Sequence, residues 1–255
     1  MKILSIDHVS LSFGGLNVLS DVSFDVNQGE IFAIIGPNGA GKTSILNIIS
    51  GFYRPEKGTV SFNGKDLTHI PADKRAALGM GRTFQNIALY HGMSVLDNIK
   101  LGAHSHLNTG LLSALWYWGS AHKEEMQLRR KIEEEIIDFL EIESIRNHPV
   151  SALAYGLQKR VELARALAMR PRILLMDEPV AGMNAEETED MARFILDIKE
   201  EYDTTIVLIE HDMKMIMDIS DRVLVLNFGQ ALTQGTPKEV QKHPDVIEAY
   251  LGKKK

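Results

Sequence analysis

The sequence contains no cysteine. Disulfides, thiolate nucleophiles and thiolate-ligated zinc are therefore excluded, and a reducing compartment is compatible with the chain without being required by it. Long hydrophobic runs are missing too. The most apolar stretches, "IFAII" and "RVLVLNF", fall far short of the roughly 20 residues that span a bilayer, so any membrane association has to come through a partner or a surface. Nor is there an excess of positive charge. With 28 Lys and Arg against 34 Asp and Glu, the formal net charge is −6, which argues against a domain held to nucleic acid by bulk electrostatics, and no nucleic-acid partner is expected. The opening "MKILSIDHVSLSF" alternates polar and apolar residues like a half-buried strand and lacks the apolar centre of a secretion signal, so the chain is expected to stay inside the cell. Fixed-period repeats are absent, and the only low-complexity feature is the terminal "KKK", read as a solvated end.

What is present is a chain of 255 residues, 44% hydrophobic, long enough for one large domain or for a domain with a subdomain. Apolar runs at Ile31–Ile35, Ile173–Met176, Thr205–Ile209 and Arg222–Leu226 alternate with helical patterns, which predicts an α/β core around a mainly parallel sheet. Ile3–Phe13 and Val22–Val26 alternate with period two and are joined by "GGLNVLSD". With "GTVSFNGKDL" as a third such element, they predict an antiparallel β-meander flanking that sheet. Between Tyr90 and Arg165 the pattern turns helical, most clearly in "KEEMQLRRKIEEEIIDFLEI". A helical subdomain is therefore expected at 91–164, inserted into a core formed by 1–90 and 165–240, with 241–255 as a C-terminal helix and tail.

"IFAIIGPNGAGKTSILNIISG" carries Gly36, Gly41, Lys42 and Thr43 in the spacing G-x-x-x-x-G-K-T, between an apolar strand and a helix, as a phosphate-binding loop requires. The expected nucleotide contacts are Gly36, Pro37, Asn38, Gly39, Ala40, Gly41, Lys42, Thr43 and Ser44. Backbone N–H groups of the loop and the helix N-terminus would surround phosphate oxygens. Lys42 would reach the β- and γ-phosphates of ATP, and the Thr43 hydroxyl would ligate Mg²⁺. These features define a P-loop NTPase core.

"RILLMDEP" is an apolar strand that ends in Asp177 and Glu178, at the sheet end where open α/β folds bind ligands. Asp177 is expected to hold Mg²⁺ through its hydration shell, and Glu178 to orient or deprotonate the attacking water. "TTIVLIEH" brings His211 to the same edge, where it could donate to a γ-phosphate oxygen. Gln85 in "GRTFQN" could touch Mg²⁺ or the water, although by itself it reads more readily as a surface-loop residue.

The order of phosphate loop, Gln85, "SALAYGLQKRVELARAL", "LLMDEP" and His211 resembles the ATPase subunit of ATP-binding-cassette transporters over essentially the whole chain. The resemblance implies that Phe13 stacks on adenine and that Gln85, Glu178 and His211 are the family's conserved glutamine, catalytic glutamate and switch histidine. It also aligns Leu153, Ala154, Tyr155, Gly156 and Leu157 with the family's L-S-G-G-Q turn, which binds the γ-phosphate of ATP held by the opposite subunit. Ala154 lacks the usual serine hydroxyl, so this variant has to rely on backbone donors at Ala154, Tyr155 and Gly156. Asn184 stands where the family usually has Asp. "LAYGLQKR", "DEPVAGMN", "IEHDM" and "GTPKEVQKHPDVIEAYLG" together resemble the larger ATPase of Liv-type importers for branched-chain amino acids. The competing resemblances are the lipopolysaccharide-export ATPase, whose signature is closer to S-Y-G-E-R, and a non-transport cassette ATPase acting on DNA or ribosomes.

Several partners follow from the resemblance. They are integral-membrane permease subunits, a second cassette bound head to tail, and indirectly a solute-binding protein, with this chain peripheral on the inner face of the cell membrane. The aromatic cluster Trp116, Tyr117 and Trp118 reads either as local packing or as a surface for a permease helix.

Overall fold

The computed structural model describes residues 1–103, 130 and 132–251, and these group into two compact units. The first comprises Met1–Gln85, Arg172–Pro179 and the chain from Thr188 onward, and the second comprises Asn86–Pro171 and Val180–Glu187. The Trp116–Trp118 cluster and the terminal lysines lie outside the described residues. Among the described residues, no helix is long and apolar enough to cross a membrane.

The first unit contains two sheets. Strands β1 (Lys2–Phe13), β2 (Leu16–Asn27), β4 (Lys57–Phe62) and β5 (Lys65–Asp66) form an antiparallel sheet in the order β2-β1-β4-β5. The expected meander is present, but the β1–β2 connection is shorter than "GGLNVLSD". The strand resumes at Leu16 after a turn of Gly14 and Gly15, both at positive φ (54° and 88°), the geometry that closes a two-residue hairpin. "GTVSFNGKDL" likewise divides into two strands, at Asn63 and Gly64, whose φ values of 49° and 73° make the same kind of turn.

The second sheet has the order β10-β9-β3-β8-β7-β6, from β3 (Ile31–Ile35), β6 (Met80–Arg82), β7 (Ile173–Asp177), β8 (Thr205–Ile209), β9 (Arg222–Asn227) and β10 (Gln230–Gly235). All its pairings are parallel except the antiparallel edge of β10 on β9. Every residue of β3, β7 and β8 is buried, which is why these strands read as unbroken apolar runs rather than alternating ones. Helix α1 (Lys42–Ser50) contributes Ile45, Leu46, Ile48 and Ile49 to a core cluster shared with residues of both sheets, including Leu4, Val22, Val60, Leu175 and Val207.

One buried guanidinium makes its hydrogen bonds to backbone carbonyls rather than to a carboxylate. Arg75, in α2 (Ala72–Ala77), is 1% exposed. Its guanidinium donates to the carbonyls of Ile70 (2.7 Å), Ile48 (2.7 Å), Ile49 (2.7 Å) and Leu67 (2.5 Å). Ile48 and Ile49 lie in the last turn of α1, so the cation caps the negative end of that helix.

Helices α5 (Ala185–Tyr202) and α6 (Met213–Ile219) follow β7 and β8. The C-terminal amphipathic stretch packs on its own unit and is broken by Pro244 into α7 (Pro237–Lys242) and α8 (Pro244–Leu251). Thr236 and Glu239 form a capping box at the start of α7, while Val240 and Val246 join a cluster with Ile216, Val223 and Val225.

In the second unit, α3 (Val95–Gly102) is capped by Ser94 and packs on α4 (Tyr155–Leu167), where a Cβ on Gly102 would come 2.0 Å from the Arg165 carbonyl. The described part of the "KEEMQLRRKIEEEIIDFLEI" segment makes a π-helical turn at Glu133–Ile137 rather than a continuous α-helix, and it buries Ile132, Ile136, Ile137 and Leu140.

Candidate functional site

In the first unit, the C-terminal ends of four neighbouring strands, β3, β8, β7 and β6, deliver the phosphate loop, His211, the Asp177–Glu178 pair and Gln85 to one sheet edge. A cavity of about 750 Å³ opens there, lined by Asn38–Ser44 together with Leu16, Val18, Gln85, Glu178 and His211. The loop conformation depends on its glycines. Gly41 enters α1 at φ 99°, and a Cβ on Gly36 would lie 2.1 Å from the Leu226 carbonyl.

Lys42 is buried, and its ammonium donates to the carbonyls of Gly36 (2.8 Å) and Pro37 (3.1 Å). Burial pulls its pKa below the usual lysine value, while the charges of Glu178 and Asp177 oppose that shift.

Glu178 is the centre of the polar network. Its Oε2 accepts from Gln85 Nε2 at 2.9 Å, and its Oε1 lies 2.9 Å from His211 Nε2, with the side chain 18% exposed. The residue sits at φ 52°, the left-handed region that a non-glycine residue enters at a cost of about 1–3 kcal/mol. The Glu178 N–H, donating 2.9 Å to the Ile209 carbonyl, helps to hold it there. Asp177, one position earlier, is 2% exposed and faces the Arg82 guanidinium at 3.5 Å.

Of the residues expected to meet around phosphate, Asn38–Ser44, Gln85, Glu178 and His211 share the cavity, whereas Gly36, Pro37 and Asp177 are not among its lining residues. Phe13 is not among the lining residues. Its ring packs edge-on against Tyr53, with centroids 5.3 Å apart, while Leu16 and Val18 from the next strand supply apolar lining. Sequence reading missed both, because an exposed Leu16 and a half-buried Val18 in an alternating strand carry no ligand signal. It missed Arg82 as well, although the "GRTFQN" segment that contains it was singled out.

Ala154, Tyr155 and Gly156 belong to the second unit, at the start of α4. Ala154 occupies the N-cap with extended backbone (φ −60°, ψ 154°) and makes no side-chain cap. Within the same unit, Asn184 and Glu187 bond reciprocally, each N–H donating to the other's side-chain oxygen at 3.0 Å. The Glu187 carboxylate lies so close to Gly156 that a Cβ there would come 2.2 Å from its Oε1. Ala154→Ser restores a hydroxyl acceptor for the first-turn N–H groups, with an expected gain of about 0.5–1 kcal/mol. Equilibrium denaturation checks this, and an unchanged midpoint would mean that solvent already satisfies those donors equally well.

A glycine-rich loop at a helix N-terminus, facing carboxylates at the ends of parallel strands, defines a nucleotide-binding P-loop cassette. Residues 19–181 match the family described as ABC transporter, and residues 232–255 match one described as branched-chain amino acid ATP-binding cassette transporter. The chain belongs to the ABC transporter family, as its ATP-hydrolysing cassette. It is 40% identical over 253 residues, 98% of each chain, to the high-affinity branched-chain amino acid transport ATP-binding protein BraF of Pseudomonas aeruginosa. It is 41% identical over 252 residues, again 98% of each chain, to the corresponding protein LivG of Escherichia coli K12. Among solved structures, the ADP conformation of an ATP-binding cassette of an ABC transporter superposes with a TM-score of 0.85 at 32% identity, covering 99% of this chain and 100% of that one.

Proposed function

We propose that this chain binds and hydrolyses Mg²⁺-ATP to drive import of branched-chain amino acids through a membrane permease. The observation that carries the hydrolytic part is Glu178, whose carboxylate is held between Gln85 and His211 in the cavity that the phosphate loop lines. Support for the cargo comes from the relatives' names and from the match of the C-terminal segment.

In this reading the loop N–H groups and Lys42 bind the β- and γ-phosphates, and Leu16 and Val18 border the nucleotide's base. The donor set of Thr43 hydroxyl, Gln85 amide oxygen and Asp177 carboxylate consists of hard oxygens that suit Mg²⁺, which when bound neutralises charge on the phosphates. Glu178 takes the proton of the attacking water. Gln85 and His211 hold that carboxylate in place, and His211, which lines the same cavity, donates to a γ-phosphate oxygen. The second unit acts as the helical signature subdomain, and Ala154–Gly156 present backbone donors to the ATP of a second cassette bound head to tail. That cassette is a paralogous or identical chain, a solute-binding protein engages the complex from the other side of the membrane, and this chain is peripheral on the inner face.

Co-purification with Glu178→Gln, trapped with ATP in native membranes, tests the assignment. The expected harvest is two permease subunits and a second cassette. Recovery of ribosomes or nucleic-acid proteins without any membrane protein would reject transport.

A further inference from the structure

Arg82 ends β6, three residues before Gln85, and its side chain is only 9% exposed. The guanidinium has three neighbours of different kinds. Nη1 donates 2.6 Å to Ser50 Oγ, the last residue of α1, and that hydroxyl in turn donates 2.7 Å to the Leu46 carbonyl. Nη2 faces Asp177 Oδ2 at 3.5 Å. The rings of Phe52 and Phe84 lie 5.4 and 5.0 Å from the guanidinium carbon and pack edge to face on each other, 5.9 Å apart. Such placement fixes the fork from several sides, by hydrogen bonding and cation–π attraction. Burial lowers its pKa from the usual arginine value, and the Asp177 carboxylate opposes that shift only in part.

One side chain thus connects the far end of the phosphate-loop helix, the carboxylate at the end of β7 and the strand that leads to Gln85. We propose that Arg82 is a positioning residue for the metal half of the site. It sets the place of the Asp177 carboxylate relative to α1 and so tunes affinity for the divalent cation. The 3.5 Å separation is longer than a tight charge-assisted bond, as suits a guanidinium that orients the Asp177 carboxylate rather than neutralising it in a close ion pair. The proposal rests on the reading of Asp177 and the phosphate loop as an Mg²⁺-ATP site.

Charge and position make opposite predictions here. If Arg82 acted only as a nearby cation, removing it would make the pocket more negative and tighten metal binding. If it positions Asp177, removal loosens metal binding.

The test uses the full chain saturated with ATP and Mn²⁺ as the probe, with free Mn²⁺ read by electron paramagnetic resonance. The half-saturating Mg²⁺ for hydrolysis and the ATP affinity in EDTA are measured alongside. Arg82→Met is expected to weaken Mn²⁺ binding about tenfold or more and to raise the Mg²⁺ requirement in parallel, with ATP affinity in EDTA unchanged. Arg82→Lys, which keeps the charge but loses the fork, should recover part of the loss, and Ser50→Ala should shift metal affinity in the same direction by less. Tighter or unchanged Mn²⁺ binding in Arg82→Met overturns the proposal, as does an equal loss of ATP affinity with and without metal. If Arg82→Met does not fold, Arg82→Lys and Ser50→Ala decide: weakened Mn²⁺ binding in both supports the role, and wild-type binding in both rejects it. Absence of any ATP-dependent Mn²⁺ binding in the wild-type chain would instead reject the underlying reading of the phosphate site, and the role of Arg82 with it.

Discussion

Glu178→Gln is expected to lower ATP hydrolysis by about 10²–10⁴-fold, the usual contribution of a positioned general base, while ATP binding survives. The substitution is close to isosteric, and the surrounding bonds can adapt to it. Gln85 Nε2 donates to one oxygen of Glu178 and can donate equally to a glutamine carbonyl. The new NH₂ group then faces His211 Nε2, which becomes an acceptor if its ring proton moves to Nδ1. Geometry is thereby retained and basicity is lost. Steady-state phosphate release together with fluorescent-nucleotide binding separates the two effects. Wild-type turnover in this variant would assign the proton to another acceptor. A parallel loss of binding would mean that the carboxylate organises the loop rather than the water.

Arg75→Met carries the largest expected cost in stability, roughly 3–5 kcal/mol. Of the four carbonyls that Arg75 satisfies, that of Ile48 also accepts from the Gly51 N–H and that of Leu67 from the Ile70 N–H. The loss therefore falls mainly on the buried carbonyl of Ile49, left without this donor at about 1–3 kcal/mol, on the part-buried carbonyl of Ile70, and on the uncapped end of α1. Because α1 begins with Lys42, nucleotide should restore part of the stability by binding only the folded form. Urea denaturation with and without ATP measures both quantities. A loss below about 1 kcal/mol would show that water replaces the guanidinium at those carbonyls.

Arg75 also marks a limit of sequence reading. In "ADKRAALG" it looks like one more charged residue on a short solvated helix, and nothing local distinguishes it from Lys74, which is exposed. Its role depends on carbonyls 5 to 27 residues away in the chain, and acceptors of that kind leave no trace in side-chain identity. Arg82 was obscure for the same reason. By contrast, the phosphate loop and the strands bearing Asp177, Glu178 and His211 were legible, because parallel strands buried on both faces are written as apolar runs and the ligand edge follows from their ends. The hairpin turns were misjudged because strand β2 begins with exposed Leu16 and Asn17, where alternation is faint and the pairing with β1 is irregular. Phe13 shows the reverse case, a residue carried over from the resemblance whose ring rests on Tyr53.

Lys42 has a consequence for the way phosphate-loop variants are interpreted. Its ammonium holds the carbonyls of Gly36 and Pro37, so it braces the loop from within. Truncating it would delete a ligand and a brace in one step. The affinity lost in such a variant therefore exceeds the worth of the lysine–phosphate contact by whatever the loosened loop must spend to be re-ordered around the nucleotide. A double-mutant cycle that pairs Lys42 truncation with ADP in place of ATP would isolate the γ-phosphate part of the contact, because the brace and the β-phosphate contact serve both nucleotides.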